Sequence, residues 1–324
     1  MNGIIAIDTG GTKCDALLVT DDGLVLGSGH SEQPGRGGRT IDAVTEAVRE
    51  AITDRSFDRL LVSTISSSLP TVTFSLSALQ VQLRPCSEEL AAFHLADVGA
   101  GVAVLSGTGA FVAARDEAGK QRRIDGMGPL LGDDGSGYQI GQAALRAVVR
   151  TSNHPRHRTR LRSAILADMQ ITHPGYLLRT FNTEVDRSAV ARFSRFVDQA
   201  AREGDEVAIE ILQRAAHVLA ENVMDMVDIM KMRDRPYPLV GFGSVITGSE
   251  LFWGMLRERV SMVAPELEPM RPAYKPVVGM AVEGLRQIHC DDDDAFSLAR
   301  AGLLAAADRT PFTLSFTTGT EPVP

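Results

Sequence analysis

The 324-residue chain is short of cysteine, of long apolar runs and of positive charge, and each shortage excludes something. Its three cysteines, Cys14, Cys86 and Cys290, are too sparse for a disulfide framework, and no two share metal-ligand spacing. A reducing, cytoplasmic setting is the expectation. No apolar run reaches the ~18 residues of a membrane span. Residues 1–25 lack a basic stretch followed by a long apolar one, so no secretory leader is expected. No internal repeat falls in the solenoid range of periods. The formal net charge is −8 and the pI about 5.4. That balance speaks against nucleic acid or an anionic membrane as partner, although a local pocket can still be positive.

What is present is a globular composition, 44% apolar and 23% charged, in a chain long enough for two domains. "GIIAID", "DALLVT" and "LVLGSGH" read as three strands, the first two joined by a Gly-rich turn and the next by "DDG". "RTIDAVTEAVREAITD" has helical periodicity, "RLLVST" reads as a buried strand, and "SEELAAFHLA" reads as a helix capped by Ser87. A second strand–turn–strand set begins at Gly101, about a hundred residues after the first. Beyond "GDDGSG", residues 138–150, 158–170, 187–203 and 205–231 read as helices. "YPLVGFGSV" is a late strand, followed by the helices "GSELFWGMLRERV" and "GMAVEGLRQI" and a tail from Asp291.

The turn "DTGGT" sets an acid, Asp8, before Gly10, Gly11, Thr12 and Lys13. Glycines let backbone N–H groups approach a ligand closely, and successive N–H groups in a tight turn form an anion-binding nest. Asp8 cannot bind phosphate, but it can hold a hydrated Mg²⁺. A hairpin turn with an incidental acid and hydroxyl explains this one stretch equally well. A second nest, "SGTGA" (Ser106–Ala110), and a third glycine turn, "GFGSV" (Gly241–Val245), add to it. Together the three turns resemble the actin–hexokinase–Hsp70 superfamily of ATPases. "DGMGPLLGDDGSGYQIGQAAL" (Asp125–Leu145) is similar to the G-x-G-x-x-L-G-D-E-G-S stretch of N-acetylglucosamine kinases, within the activator ATPases of benzoyl-CoA reductase and 2-hydroxyacyl-CoA dehydratases. The resemblance covers roughly residues 3–145 and 238–288; the helical middle matches only in character.

The resemblance implies an α/β protein of two ribonuclease H-like lobes with a central cleft. Lobe one would span residues 1–98. Lobe two would span 99–290 with a helical insert at 138–235, and 291–324 would be a C-terminal extension. It implies ATP and Mg²⁺ as cofactors, Mg²⁺ being held by Asp8 through water. Nucleotide contacts would come from Gly10, Gly11, Thr12, Lys13, Gly107, Thr108 and Gly109, with Gly243 and Ser244 near the adenosine. The implied reaction is phosphorylation of a sugar hydroxyl, on an amino sugar such as N-acetylglucosamine or glucosamine, by a homodimer. Asp133 matches the family acid that binds the sugar, while Asp134 and Ser136 are left to the helix start.

The acceptor side departs from the family. The catalytic aspartate is replaced by Glu88, one methylene longer, and acids at a helix start are also favoured by the dipole alone. Gln33 and Phe111 stand where the family has other residues, and with Glu88 and Asp133 they would line the altered pocket. Three readings stay open: a sugar or cyclitol kinase, a nucleotide- or sugar-binding protein with weak or no transfer, and a dehydratase activator. The last needs paired cysteines for an iron–sulfur cluster, and the sequence offers none. His154, His157, the Met-rich "NVMDMVDIMKMR" and "DDDD" at 291–294 have ordinary loop, core and solvated-surface readings.

Overall fold

Two five-stranded mixed sheets organise the computed structural model, which describes residues 2–10, 13–32, 40–68, 72, 81–154, 157–181 and 186–314. In the first sheet, β1 (Asn2–Thr9), β2 (Lys13–Val19) and β3 (Val25–Glu32) form an antiparallel meander. Strands β4 (Arg59–Thr64) and β5 (Val81–Pro85) then add in parallel beside β1. The order is β3-β2-β1-β4-β5. The second sheet repeats this plan with β6 (Gly101–Ser106), β7 (Ala110–Arg115), β8 (Gln121–Asp125), β9 (Tyr237–Phe242) and β10 (Leu267–Met270). Its order is β10-β9-β6-β7-β8, so each sheet has its first strand at the centre with an antiparallel hairpin on one side.

The apolar runs seen in the sequence are strands inside the sheets, buried on both faces. In β1, Ile5 and Ile7 face the helix Thr40–Ile52, while Ile4 and Ala6 join a second cluster on the opposite face. The strands missed in the sequence, β5 and β10, are short edge strands carrying Pro85 and Pro269, where proline is tolerated and periodicity is too brief to register.

The chain divides into two compact units, one holding Met1–Gly99 with Pro272–Ser315 and the other built on Ala100–Arg271. The sequence reading gave residues 272–290 to lobe two. Helix Pro276–Ile288 instead covers the first sheet, with Val277, Val278, Ala281 and Val282 packed among Ile4, Ala6, Leu17 and Leu61. Helix Asp293–Ala307 joins the same cluster through Phe296, Ala299 and Leu303. Periodicity marks an element as a helix but does not say which sheet it covers.

The second unit is dominated by helix Glu206–Met230, whose Asp205 cap accepts from Ala208 N at 2.9 Å and also from Thr159 and Arg160. The helix expected over 187–203 is two pieces, Arg187–Ala191 and Ser194–Arg202. Between them Phe193 N bonds to Val190 O, three residues back, and the tightened turn drives the Phe193 ring fully into the core.

Candidate functional site

In the second unit, the candidate site grows from the β6–β7 hairpin. Ser106 and Ala110 are the last paired residues, and Gly107 N closes the turn on Gly109 O at 2.9 Å. That bond consumes the Gly107 N–H. Among the described residues, the N–H groups of Thr108 and Gly109 donate to no protein acceptor. The turn is braced from behind: Gly107 O accepts from Gly137 N at 2.7 Å and Thr108 O from Tyr138 N at 3.4 Å. Both donors open helix Gly137–Asn153, capped by Ser136 as expected. Two free donors on a fixed turn make an anion nest.

Gly243 lies against the same turn. Its φ is +92°, and a Cβ there would sit 2.5 Å from Ser106 O, so only glycine fits. Ser244, the next residue, has its backbone N 3.7 Å from the position a Cβ would take on Gly107. Gly107, Thr108, Gly109, Gly243 and Ser244 are thus brought together as expected. Trp253, 4% exposed, is in the core.

Asp133 sits beside this turn, buried, with φ +59°. A Cβ on Gly109 would lie 3.1 Å from its Oδ1, and Ala110 N donates to that oxygen at 3.4 Å. Its other oxygen accepts from Arg187 at 2.5 Å. The loop is held by a residue the sequence reading passed over: the Asp125 carboxylate accepts the N–H groups of Gly126, Asp133 and Asp134 at 2.7, 2.7 and 2.8 Å. Asp134 accepts from Gln139 in the first turn of the following helix. Phe111, expected to line the acceptor pocket, packs into the sheet instead, 3% exposed. Its ring lies edge-on to Phe242 at 5.9 Å, with the Arg123 guanidinium 3.8 Å above it.

In the first unit, Gly10 N closes the "DTGGT" turn on Lys13 O at 2.9 Å. Gly11, Thr12 and Gln33 lie outside the described residues. Asp8 and Asp15 are direct cross-strand partners, both buried. Lys13, expected at the phosphates, donates to Asp15 at 2.8 Å. His30 Nδ1 lies 2.6 Å and Lys275 Nζ 3.8 Å from the same carboxylate. Burial works to raise the Asp15 carboxyl, but Lys13, His30 and Lys275 outweigh it and hold it below its ordinary value. Asp8 lacks such direct partners among the described residues. Burial pushes its carboxyl up to about 6, Asp15 adds to the rise, and Lys13 and Lys275 pull it back.

Glu88 is the first residue of helix Glu88–Ala96 and is half-buried. The Ser87 cap accepts from Leu90 N at 3.2 Å. The far end of the helix is anchored by His94, 2.7 Å from the buried Glu283. Asp97, the other acid nearby in sequence, is the left-handed C-cap, exposed and 3.3 Å from Arg300. Among the described residues no cluster of three or more His, Cys, Asp or Glu could hold a metal ion.

The family model described as "BadF/BadG/BcrA/BcrD ATPase family" matches residues 5–284, nearly the whole described fold. The chain belongs to this ATPase family. It is 28% identical over 169 residues to an N-acetylmuramic acid/N-acetylglucosamine kinase of Clostridium acetobutylicum, covering 52% of this chain and 55% of that protein. It is 29% identical over 188 residues to an N-acetyl-D-glucosamine kinase of Dictyostelium discoideum, covering 57% and 59%. The chain therefore spans little more than half the length of these relatives. Among solved structures, a ROK family glucokinase from Streptomyces griseus in complex with glucose and AMPPNP superposes with a TM-score of 0.56 at 18% identity, over 88% of this chain and 99% of that one. This ATPase family member thus shares the α/β fold of that glucokinase.

Three functional candidates escaped the sequence reading. Asp15 left a signal, an acid inside a buried apolar run opposite another acid. Asp125 left a weaker one, an Asp-Gly pair closing a strand. Arg187 left none, since its partner is 54 residues away.

Proposed function

We propose that this protein transfers the γ-phosphoryl group of ATP to a hydroxyl of an amino sugar such as N-acetylglucosamine or glucosamine. The observation that carries the reading is the braced Ser106–Ala110 turn, with two unused N–H donors beside Gly243, Ser244 and the buried Asp133. Family membership and the names of the two relatives support it.

Thr108 and Gly109 hold phosphate oxygens from the second unit, and the "DTGGT" turn, with Gly10, Gly11 and Thr12, does so from the first. Gly243 and Ser244 take the adenosine side. A buried carboxylate at a strand end, without direct ion-pair partners among the described residues, fits a hydrated Mg²⁺, so Asp8 is its holder. When bound, the cation neutralises charge on the transferring group. Lys13 acts indirectly, by keeping Asp15 ionised next to Asp8. Asp133, held by Arg187 and by the Asp125-bound loop, orients the acceptor. Glu88 takes the proton of the attacking hydroxyl as its oxygen bonds to the γ-phosphorus and the bond to the ADP oxygen breaks. Cytoplasmic location, on the sparse cysteines, and a homodimer, on family likeness, complete the proposal; sedimentation tests the second.

The test is ADP release across a panel of sugars, amino sugars and cyclitols. Turnover on amino sugars is expected, with Glu88→Gln lowering kcat by about two to four orders of magnitude while ATP still binds. Glu88→Asp should retain activity. No ADP with any hydroxyl compound would sink the kinase reading, and an unaffected Glu88→Gln variant would move the base elsewhere.

A further inference from the structure

Within the second unit, helices Gly137–Asn153 and Glu206–Met230, with His157 and Thr159, line an open cavity of about 580 Å³ that the proposed reaction does not use. That volume is in the range that holds a small organic ligand. Its floor carries apolar and small side chains, Ile140, Ala143, Ala147 and Ala215, and its sides are polar. The charged groups around it are unbalanced. Arg146, Arg150, His157 and Arg214 line it against a single acid, Glu210, and Glu210 is already paired with Arg214 at 2.5 Å.

Arg146 and Arg150 stand one helical turn apart, a spacing at which like charges repel. Among the described residues neither side chain has an ion pair or a hydrogen bond. In a chain of net charge −8, two guanidinium groups without acidic partners face the same concavity. Guanidinium forks match phosphate oxygens in pairs.

The cavity also reaches the site. Gly135, one of its lining residues, follows Asp133 and Asp134, and its carbonyl accepts from the buried Ser106 hydroxyl at 2.7 Å. Ser106 is the last residue of β6, directly before Gly107. At Gly135, with φ +80°, a Cβ would lie 2.6 Å from the Leu219 side chain, so the Asp133 loop rests directly on the long helix.

We propose that this cavity binds a phosphate monoester of a small polar molecule through Arg146 and Arg150, and that its occupancy alters turnover through Gly135 and Ser106. The binding claim is independent of the proposed kinase activity; the effect on turnover rests on it.

Calorimetry with glucosamine 6-phosphate and inorganic phosphate tests the first claim, on the whole protein with a saturating non-hydrolysable ATP analogue present. The ester is expected to bind, more tightly than free phosphate. Arg146→Gln and Arg150→Gln should each weaken it about tenfold or more, the scale of a charge-assisted hydrogen bond. Both side chains are exposed, so the variants should melt like wild type. Absence of binding by either probe at millimolar concentration, equal binding of the two, or unchanged affinity in the double variant would each overturn the proposal. In the ADP-release assay, addition of the ester should change kcat or KM at least about twofold in wild type and not in the double variant. Binding with no such change overturns the coupling claim, whereas no turnover at all removes the kinase reading and leaves the binding result standing.

Discussion

Replacing Asp8 with asparagine should stabilise the protein while removing its use of Mg-ATP. Asp8 is buried beside Asp15, and its carboxyl is pushed from an ordinary 3.8 to about 6. The folded state therefore keeps a proton that the unfolded chain has already lost between about pH 4 and 6. Across that window, stability falls as pH rises, and above it the full cost of burying the charge is present. A shift of about two units at ~1.36 kcal/mol per unit gives about 3 kcal/mol. Asparagine keeps the shape without the charge. Asp8→Asn should then be more stable than wild type by about 2–3 kcal/mol at pH 8 and by about half that at pH 5. Urea unfolding at both pH values measures the difference. An Asp8→Asn variant no more stable than wild type at pH 8, or one with the same gain at both pH values, would refute the reasoning. Loss of turnover with gain of stability is the trade expected where a charge is kept for function.

Asp125→Ala strips the acceptor from three backbone N–H groups of the Asp133 loop. It should cost about 2–3 kcal/mol in unfolding experiments and raise acceptor KM more than ATP KM. Gly243→Ala places a methyl against Ser106 O at a strained φ. It should destabilise by about 1–3 kcal/mol and weaken nucleotide binding, read by calorimetry. Cys14 and Cys86 are buried, and desolvation pushes the first thiol up to about 12 and the second well above its ordinary value. Iodoacetamide at neutral pH should therefore modify only Cys290 in the native protein and all three cysteines after unfolding, as counted by mass spectrometry.

The hairpins, the glycine turns and the caps Ser87 and Ser136 were legible in the sequence, because each depends on a few neighbouring residues. Ile4–Ile7 and Ala16–Val19 announced buried strands, and "SGTG" announced a nest, although only the structure shows Gly107 N–H spent on closing the turn. The edge strands β5 and β10 were silent because four or five half-exposed residues carry no usable period. Partner choice was equally silent. Lys13 looked like a phosphate ligand from its place in the turn, yet two residues on, on the same face of β2, a buried carboxylate takes it. Phe111 looked like a pocket residue because it follows "GTGA", yet alternation along β7 sends its ring into the sheet. The Arg187–Asp133 pair depends on how a helical insert folds back, which no local pattern encodes.

The late return of residues 272–314 to the first sheet has a consequence for how the protein is made. At roughly 5–20 residues per second, a ribosome that has finished residue 99 needs about 9 to 35 seconds to reach residue 272. Through that interval the sheet face carrying Ile4, Ala6, Leu17 and Leu61 lacks the two late helices, Pro276–Ile288 and Asp293–Ala307, and has only helix Glu88–Ala96 of its own cluster. Residues 100–271, continuous in the chain, can complete their own core in the meantime. The unit begun first is thus the one finished last, and its partly covered sheet is the species a holdase chaperone would be expected to meet. A chain released after residue 271 would keep the Ser106–Ala110 turn and its bracing intact while its first unit stayed open to aggregation.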